Sequence, residues 1–431
     1  MEQKTVSFYT LGCKVNQYET NAMAQEFANK GYKIVHGEEK ADIAIVNTCT
    51  VTNMSDRKSR QILRRIKNTN PQTVVVAVGC YVQVARDKVE QIPEIDLVLG
   101  NNEKKDIVEY IETYLEKNNK INKVSDVMHQ KQFIDFGVIY YTEKTRAAIK
   151  IQDGCDRFCS YCIIPYARGR VRSRRPESII EEVTKIVSEG IKEIVITGIH
   201  VASYGKDFEE EYKLIDLLED LNKVEGLKRI RLSSIEPMII TDEFIERLIK
   251  LEKICHHFHL SLQSGCDETL KRMNRRYTTA EFMEVVKRIR AKYNDAMLTT
   301  DIIVGFPGET EKEFETTYNF LKEVKFYKMH VFKYSQREGT KAAVMPNQID
   351  GNVKEQRSQK LIDLSNENMK EYNNNYIGKE VEVLFEEKEG KYYKGHTSNY
   401  IMVKYETDEE LENCIKTVKV IEAQDDYLIA K

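Results

Sequence analysis

At 431 residues the chain is long enough for about three domains. Its 41% hydrophobic and 31% charged residues exclude a disordered or membrane-embedded class. Sixty-six basic residues against 69 acidic ones leave a net charge of −3, which by itself selects no partner.

The opening MEQKTVSFYT carries Glu2 and Lys4 and runs into a strand-like segment, unlike a signal peptide. The longest apolar runs fall well short of the roughly 20 residues a bilayer span needs. A cytoplasmic chain with no membrane partner is therefore expected. In a reducing compartment its nine cysteines are metal ligands or free thiols rather than disulfides.

KTVSFYTLGC, ADIAIVNTC and TVVVAVGC read as β-rich strands, with NQYETNAMAQEFANKG as an intervening helix ended by Gly31. This alternation predicts an α/β unit over residues 2–114, a doubly wound parallel sheet. Ligands of such sheets bind beyond the carboxyl ends of the strands. Cys13, Cys49 and Cys80 each stand at such an end. Residues 115–140 are polar and weakly patterned, and a linker is expected there.

From residue 141 to 371 the alternation resumes. AAIKIQDG, EIVITGIH, RIRLSSIEP, FHLSLQSG, LTTDIIVGF and MHVFKYS are strand-like, separated by helical runs such as PESIIEEVTKIVSEG. Six β/α units in series predict an incomplete barrel with its site at the strand carboxyl ends. A polar helix, VKEQRSQKLIDLSNENMKEYNNN, leads out of it. Residues 374–431 then alternate apolar and polar, as a small antiparallel β-barrel does.

The segment DGCDRFCSYC follows the first barrel strand and holds Cys155, Cys159 and Cys162 at spacings of three and two residues. A disulfide takes two cysteines and a structural zinc usually takes four ligands. Three suit a four-iron cluster that keeps one corner open. A zinc site completed by His256, His257 or His259, or plain loop cysteines, are the alternatives. Cys255, Cys266 and Cys414 lack such partners and read as structural. Thr197, Gly198, Ser234, Glu236, Gln263 and Asp301 lie at strand carboxyl ends and are candidate cofactor contacts.

Two basic runs lie downstream of cysteines. SDRKSRQILRRIKN contains Arg64, Arg65 and Lys67, and IIPYARGRVRSRR contains Arg168, Arg170, Arg172, Arg174 and Arg175. Each alone reads as a solvated face, while the pair points to a polyanion such as RNA.

CxxxCxxC after the first strand of a β/α series resembles the radical S-adenosylmethionine enzymes. TLGCKVNQYET, NTCTVT and VGCYVQ resemble the three cysteine motifs of the methylthiotransferases within that superfamily. RLSSIEP, HLSLQSGCDETLKRMNRRY, TTDIIVGFPGET and HVFKYSQREGTKAA also resemble their core segments, and residues 374–431 resemble the tRNA-contacting TRAM barrel. The resemblance implies two 4Fe-4S clusters, a radical one on Cys155, Cys159 and Cys162 and an auxiliary one on Cys13, Cys49 and Cys80. It also implies S-adenosylmethionine as methyl donor and radical source, and an external electron donor. TLGCKVNQYET most resembles the branch that methylthiolates C2 of N6-threonylcarbamoyladenosine beside the tRNA anticodon (position 37). The loop arginines are then expected to supply a cation for the threonylcarbamoyl carboxylate. Isopentenyladenosine, a ribosomal-protein aspartate, or a non-catalytic iron–sulfur RNA-binding role are the alternatives. The C-terminal module is acidic overall, so RNA contact there would have to be focused, with Lys388, Lys391 and Lys394 as candidates or as a solvated hairpin tip.

Overall fold

A computed structural model describes residues 3–35, 40–140 and 145–431. Glu2 and the expected boundary at residue 141 lie outside the described residues. The first unit comprises β1 (Thr5–Thr10), α1 (Lys14–Asn29), β2 (Lys33–Val35), β3 (Ile43–Thr48), α2 (Asn53–Thr69) and β4 (Val74–Gly79). It continues through α3 (Cys80–Val84), α4 (Arg86–Glu90), β5 (Leu97–Leu99), α5 (Ile107–Lys117) and β6 (Ile121–Lys123). The strands are parallel, in the order β2-β1-β3-β4-β5-β6. Period-two alternation covers both faces. Ile43 and Ile45 pack with Val6, Phe27 and Ile107 on one side, and Ala44 and Val46 pack with Leu63 and Ala77 on the other. The doubly wound sheet is as expected, and its strand order reverses between β1 and β3, where such sheets bind ligands.

The stretch 115–140 is only partly a linker. Ile121 to Lys123 pairs with β5 as a sixth strand. Ile139 is buried and its N–H donates to Glu182 (3.2 Å). Short polar strands lack the periodicity that reveals longer ones.

The second unit begins with β7 (Arg146–Asp153), α6 (Ile164–Arg168), the two-residue β8 (Arg172–Ser173), α7 (Pro176–Ser188) and β9 (Glu193–Gly198). Then come α8 (Leu214–Asn222), β10 (Arg229–Leu232), α9 (Asp242–Leu248), β11 (His257–Gln263), α10 (Asp267–Arg272) and α11 (Thr279–Lys292). It closes with β12 (Met297–Val304), α12 (Glu311–Val324), β13 (Lys328–Lys333) and α13 (Gly351–Asn374). β7, β9 and β10 pair in parallel, as do β11, β12 and β13. The bridges Ile230–Ile254 and Ile235–Leu260 join the two groups. These six strands form the expected open β/α barrel. Capping boxes fix two of its helices: Thr278 with Glu281 at α11, and Thr310 with Glu313 at α12.

The C-terminal unit is a closed five-strand barrel of β14 (Glu380–Glu389), β15 (Tyr392–Thr397), β16 (Met402–Glu406), β17 (Ile415–Ala423) and β18 (Leu428–Ala430). Its pairs are antiparallel apart from β16–β18, which is parallel. That departs from a wholly antiparallel module, because the short last strand closes the seam. Arg229 donates to His396 O (2.9 Å) and Arg231 to Ser398 O (3.0 Å), tying this barrel to the larger one.

Candidate active site between two cysteine sets

Three strand ends place the first set. Cys13 follows β1 as the N-cap of α1, Cys49 follows β3, and Cys80 opens α3 after β4. Cys13 and Cys49 thus sit at the reversal of strand order. Gly12, at φ +99°, lets them approach: a Cβ there would lie 2.7 Å from Cys49 Sγ. Burial pushes the pKa of Cys13 up; Arg168 opposes this, while Cys80 and Glu19 add to it. Burial also raises Cys49, with Cys80 and Cys13 adding to it.

The second set occupies the loop after β7. Cys155 N–H donates to Gly169 O (3.0 Å), and Gly154 at φ +72° leaves room for Arg170 O, which a Cβ would meet at 1.8 Å. Arg275 donates to Cys159 Sγ at 3.5 Å. Burial pushes Cys155 up to about 11 and Cys162 up to about 12, the neighbouring thiols contributing. Iron binding would therefore have to displace protons from both sets. Among the described residues no group of three His, Cys, Asp or Glu side chains is arranged to hold a single metal ion. A cubane takes its thiolates on separate irons and accepts wider spacing, so the donor chemistry fits the cluster reading.

Thr197, Gly198, Ser234 and Asp301 come together with Cys13 and Lys14 around one cavity of about 610 Å³. Glu236 stands instead on the side of the radical-set cysteines. It accepts from His200 Nε2 (2.9 Å) and pairs with Arg157 (3.4 Å) and Arg275 (3.9 Å). Burial opposes its ionisation, yet His200, Arg275 and Arg157 outweigh this and hold it down to about 2. Gln263 ends β11 at φ +73°, a strained backbone position at a strand mouth. His200, Arg157 and Arg275 were not expected at the site. Each lies in a segment with family resemblance or beside a candidate, but nothing in the sequence pairs them.

The arginine loop corrects one expectation. Arg168, Arg172 and Arg174 are buried and do not face solvent. Arg168 binds Glu19, Arg172 lies 3.7 Å from Asp153, and Arg174 binds Glu182 and donates to Tyr18 Oη (3.0 Å). Buried carboxylates remote in sequence claim these charges. Arg170 and Arg175 are exposed, over the rings of Phe158 (4.8 Å) and Phe208 (5.0 Å). On α2, Arg64 and Arg65 are exposed, whereas Lys67 is partly buried and donates to Asp96 (2.8 Å). Lys391 and Lys394 are paired with Glu406 (2.9 Å) and Glu389 (2.8 Å), and Lys388 lies 3.7 Å from Glu410. A second cleft, about 720 Å³, runs between Tyr81 and Arg60 on one side and Ile163, Tyr166 and Arg337 on the other. Tyr81 adjoins Cys80 and Ile163 adjoins Cys162, so this cleft flanks both sets.

An open β/α barrel with three clustered cysteines after its first strand defines a radical S-adenosylmethionine enzyme. Residues 149–321 match the Radical SAM superfamily, and residues 5–100 match Uncharacterized protein family UPF0004. Threonylcarbamoyladenosine tRNA methylthiotransferase MtaB of Bacillus subtilis (strain 168) is 45% identical over 425 residues, covering 97% of this chain and 94% of that protein. The Aquifex aeolicus (strain VF5) protein of the same name is 39% identical, over 96% of this chain and 99% of its own length. tRNA-2-methylthio-N(6)-dimethylallyladenosine synthase of Clostridium botulinum (strain Loch Maree / Type A3) is 36% identical, covering 96% and 94%. The solved structure of the radical methyltransferase TsrM from Kitasatospora setae shares the fold, with a TM-score of 0.56 at 15% identity over 76% of this chain and 73% of that one. The chain belongs to the radical S-adenosylmethionine tRNA methylthiotransferases. It is an enzyme that uses S-adenosylmethionine and two 4Fe-4S clusters, and the C-terminal five-strand barrel agrees with a TRAM domain. Among the described residues no helix is long and apolar enough to cross a membrane.

Proposed function

We propose that this enzyme replaces the C2 hydrogen of N6-threonylcarbamoyladenosine, beside the tRNA anticodon, with a methylthio group. An adenine C2–H is too weakly acidic for an enzymic base, so acid–base chemistry does not reach it. The bound cofactors supply a carbon radical and a methylated sulfur. The chain's own task is to bring both to one carbon. The observation that carries the reading is the shared cavity, in which Cys13 faces Thr197, Gly198, Ser234 and Asp301 across about 610 Å³.

The relatives' names divide between two nucleosides, and charge favours the first. A threonylcarbamoyl group ends in a carboxylate, which needs a cation, whereas an isopentenyl group needs an apolar uncharged wall. The expected cations Arg168, Arg172 and Arg174 are engaged elsewhere. Lys14 and Lys328 line the cavity instead. The 45% identical relative carries the threonylcarbamoyladenosine name. Arg64, Arg65, Arg170 and Arg175 are assigned to the RNA backbone, since an unstacked anticodon-loop base still needs phosphate contacts to hold it. An external donor supplies electrons, and the cytoplasm is where tRNA is met.

Reconstituted enzyme should methylthiolate a threonylcarbamoylated anticodon stem-loop at C2 and leave an isopentenylated one nearly untouched, as read by nucleoside mass spectrometry. Equal turnover of both, or activity only on a ribosomal protein, refutes the substrate and leaves the family chemistry intact.

A further inference from the structure

One part of the contact between the first two units is charged, buried and unbalanced. Glu19 on α1 accepts from Lys104 Nζ (2.5 Å), Lys150 Nζ (2.7 Å) and both terminal nitrogens of Arg168. Asp153 accepts from Lys150 Nζ (2.6 Å) and lies 3.4 Å from Arg168 and 3.7 Å from Arg172. All six side chains belong to residues at most 5% exposed. Four cations thus meet two carboxylates within one connected network, an excess of two positive charges. Arg172 Nε and Nη1 are buried without an acceptor among the described residues. Isolated buried charge is costly unless something of opposite sign stands beside it.

The excess opens onto the auxiliary set. Arg168 Nε donates to Cys80 Sγ at 3.1 Å, and Asn101 Nδ2 lies 3.8 Å from the same sulfur. A four-iron core on three thiolates is an anion, and reduction adds one more negative charge. Cationic groups and N–H donors at its sulfurs therefore favour the reduced form.

We infer that this network is the counter-charge of the auxiliary cluster, and that Arg168 is the positioning residue that raises its reduction potential through Cys80. The inference rests on Cys13, Cys49 and Cys80 being the auxiliary ligands. Cys80, Glu19 and Lys104 come from the N-terminal unit, while Arg168, Lys150, Asp153 and Arg172 come from the β/α barrel. Cluster occupancy is thereby linked to the docking of one unit on the other, since removing the anion leaves like charges facing each other.

The test uses the full chain carrying Cys155→Ala, Cys159→Ala and Cys162→Ala, so that the auxiliary cluster alone is followed by redox titration with electron paramagnetic resonance. Adding Arg168→Gln should shift the midpoint to lower potential, Arg168→Lys should recover part of the shift, and Glu19→Gln should shift it upward. An unchanged or raised midpoint in Arg168→Gln overturns the inference. If Arg168→Gln fails to hold a cluster, Glu19→Gln decides: a raised midpoint supports the inference and an unchanged or lowered one overturns it. Absence of any cluster from the three-cysteine background overturns the ligand assignment, and the inference with it.

Discussion

Gly12→Ala tests how closely the auxiliary site is built. Gly12 sits at φ +99°, and an added Cβ would fall 2.7 Å from Cys49 Sγ and 2.8 Å from Cys49 Cβ. Forcing an alanine into such a backbone region costs about 1–3 kcal/mol. Overpacking against the buried Cys49 adds about 1–3 kcal/mol, because its strand end cannot retreat freely. Loss of about 2–6 kcal/mol is therefore expected in urea unfolding of the iron-free protein, read as a lower midpoint with an unchanged slope. The displaced thiol should also cost the protein its auxiliary cluster. Anaerobic reconstitution should give about four irons per chain rather than about eight. Cleavage of S-adenosylmethionine to 5′-deoxyadenosine should persist, because the cysteines of the radical set are untouched, while methylthiolation stops. A variant with wild-type stability and about eight irons would refute the reasoning.

Replacing Cys155, Cys159 and Cys162 together by alanine should halve the iron and abolish 5′-deoxyadenosine formation. Replacing Cys13, Cys49 and Cys80 should halve the iron and spare that cleavage, and loss of cleavage in folded protein would contradict the division of roles. Arg64→Glu with Arg65→Glu should weaken tRNA binding and flatten its salt dependence by about two phosphate contacts. An unchanged salt slope would return α2 to a merely solvated face. Glu193→Gln leaves Arg231, bound through Nε–Oε1 at 2.7 Å, as an uncompensated buried charge, at a cost of about 3–5 kcal/mol. Burial resists ionisation of Glu193, but Arg231, Arg146 and Arg229 hold its pKa below the usual carboxylate range. The stability it contributes is thus full above the ordinary carboxylate pKa and is lost as pH falls through the depressed one. The gap between wild type and Glu193→Gln in urea midpoints should narrow on acidification, and a constant gap would count against the pair.

Much of this fold is determined by neighbouring residues. Strand–helix alternation determined both parallel units, because period-two apolar runs and capped amphipathic helices are properties of neighbouring residues. The spacing of Cys155, Cys159 and Cys162 fits one short loop, so it was legible without a fold. Cys13, Cys49 and Cys80, 36 and 31 residues apart, became a set only through the rule that parallel strands present their carboxyl ends along one edge. What the tertiary structure alone decided is where charge is spent. In RGRVRSRR the five arginines look alike, yet Arg170 and Arg175 reach solvent while Arg168, Arg172 and Arg174 turn inward. Glu19 lies 149 residues from Arg168 in sequence. The electrostatics of a buried guanidinium depend on such a partner, which no local pattern encodes. The three-residue strands β2, β5, β6 and β18 are likewise illegible in the sequence, since so few residues carry no period and only the neighbouring strand fixes their conformation.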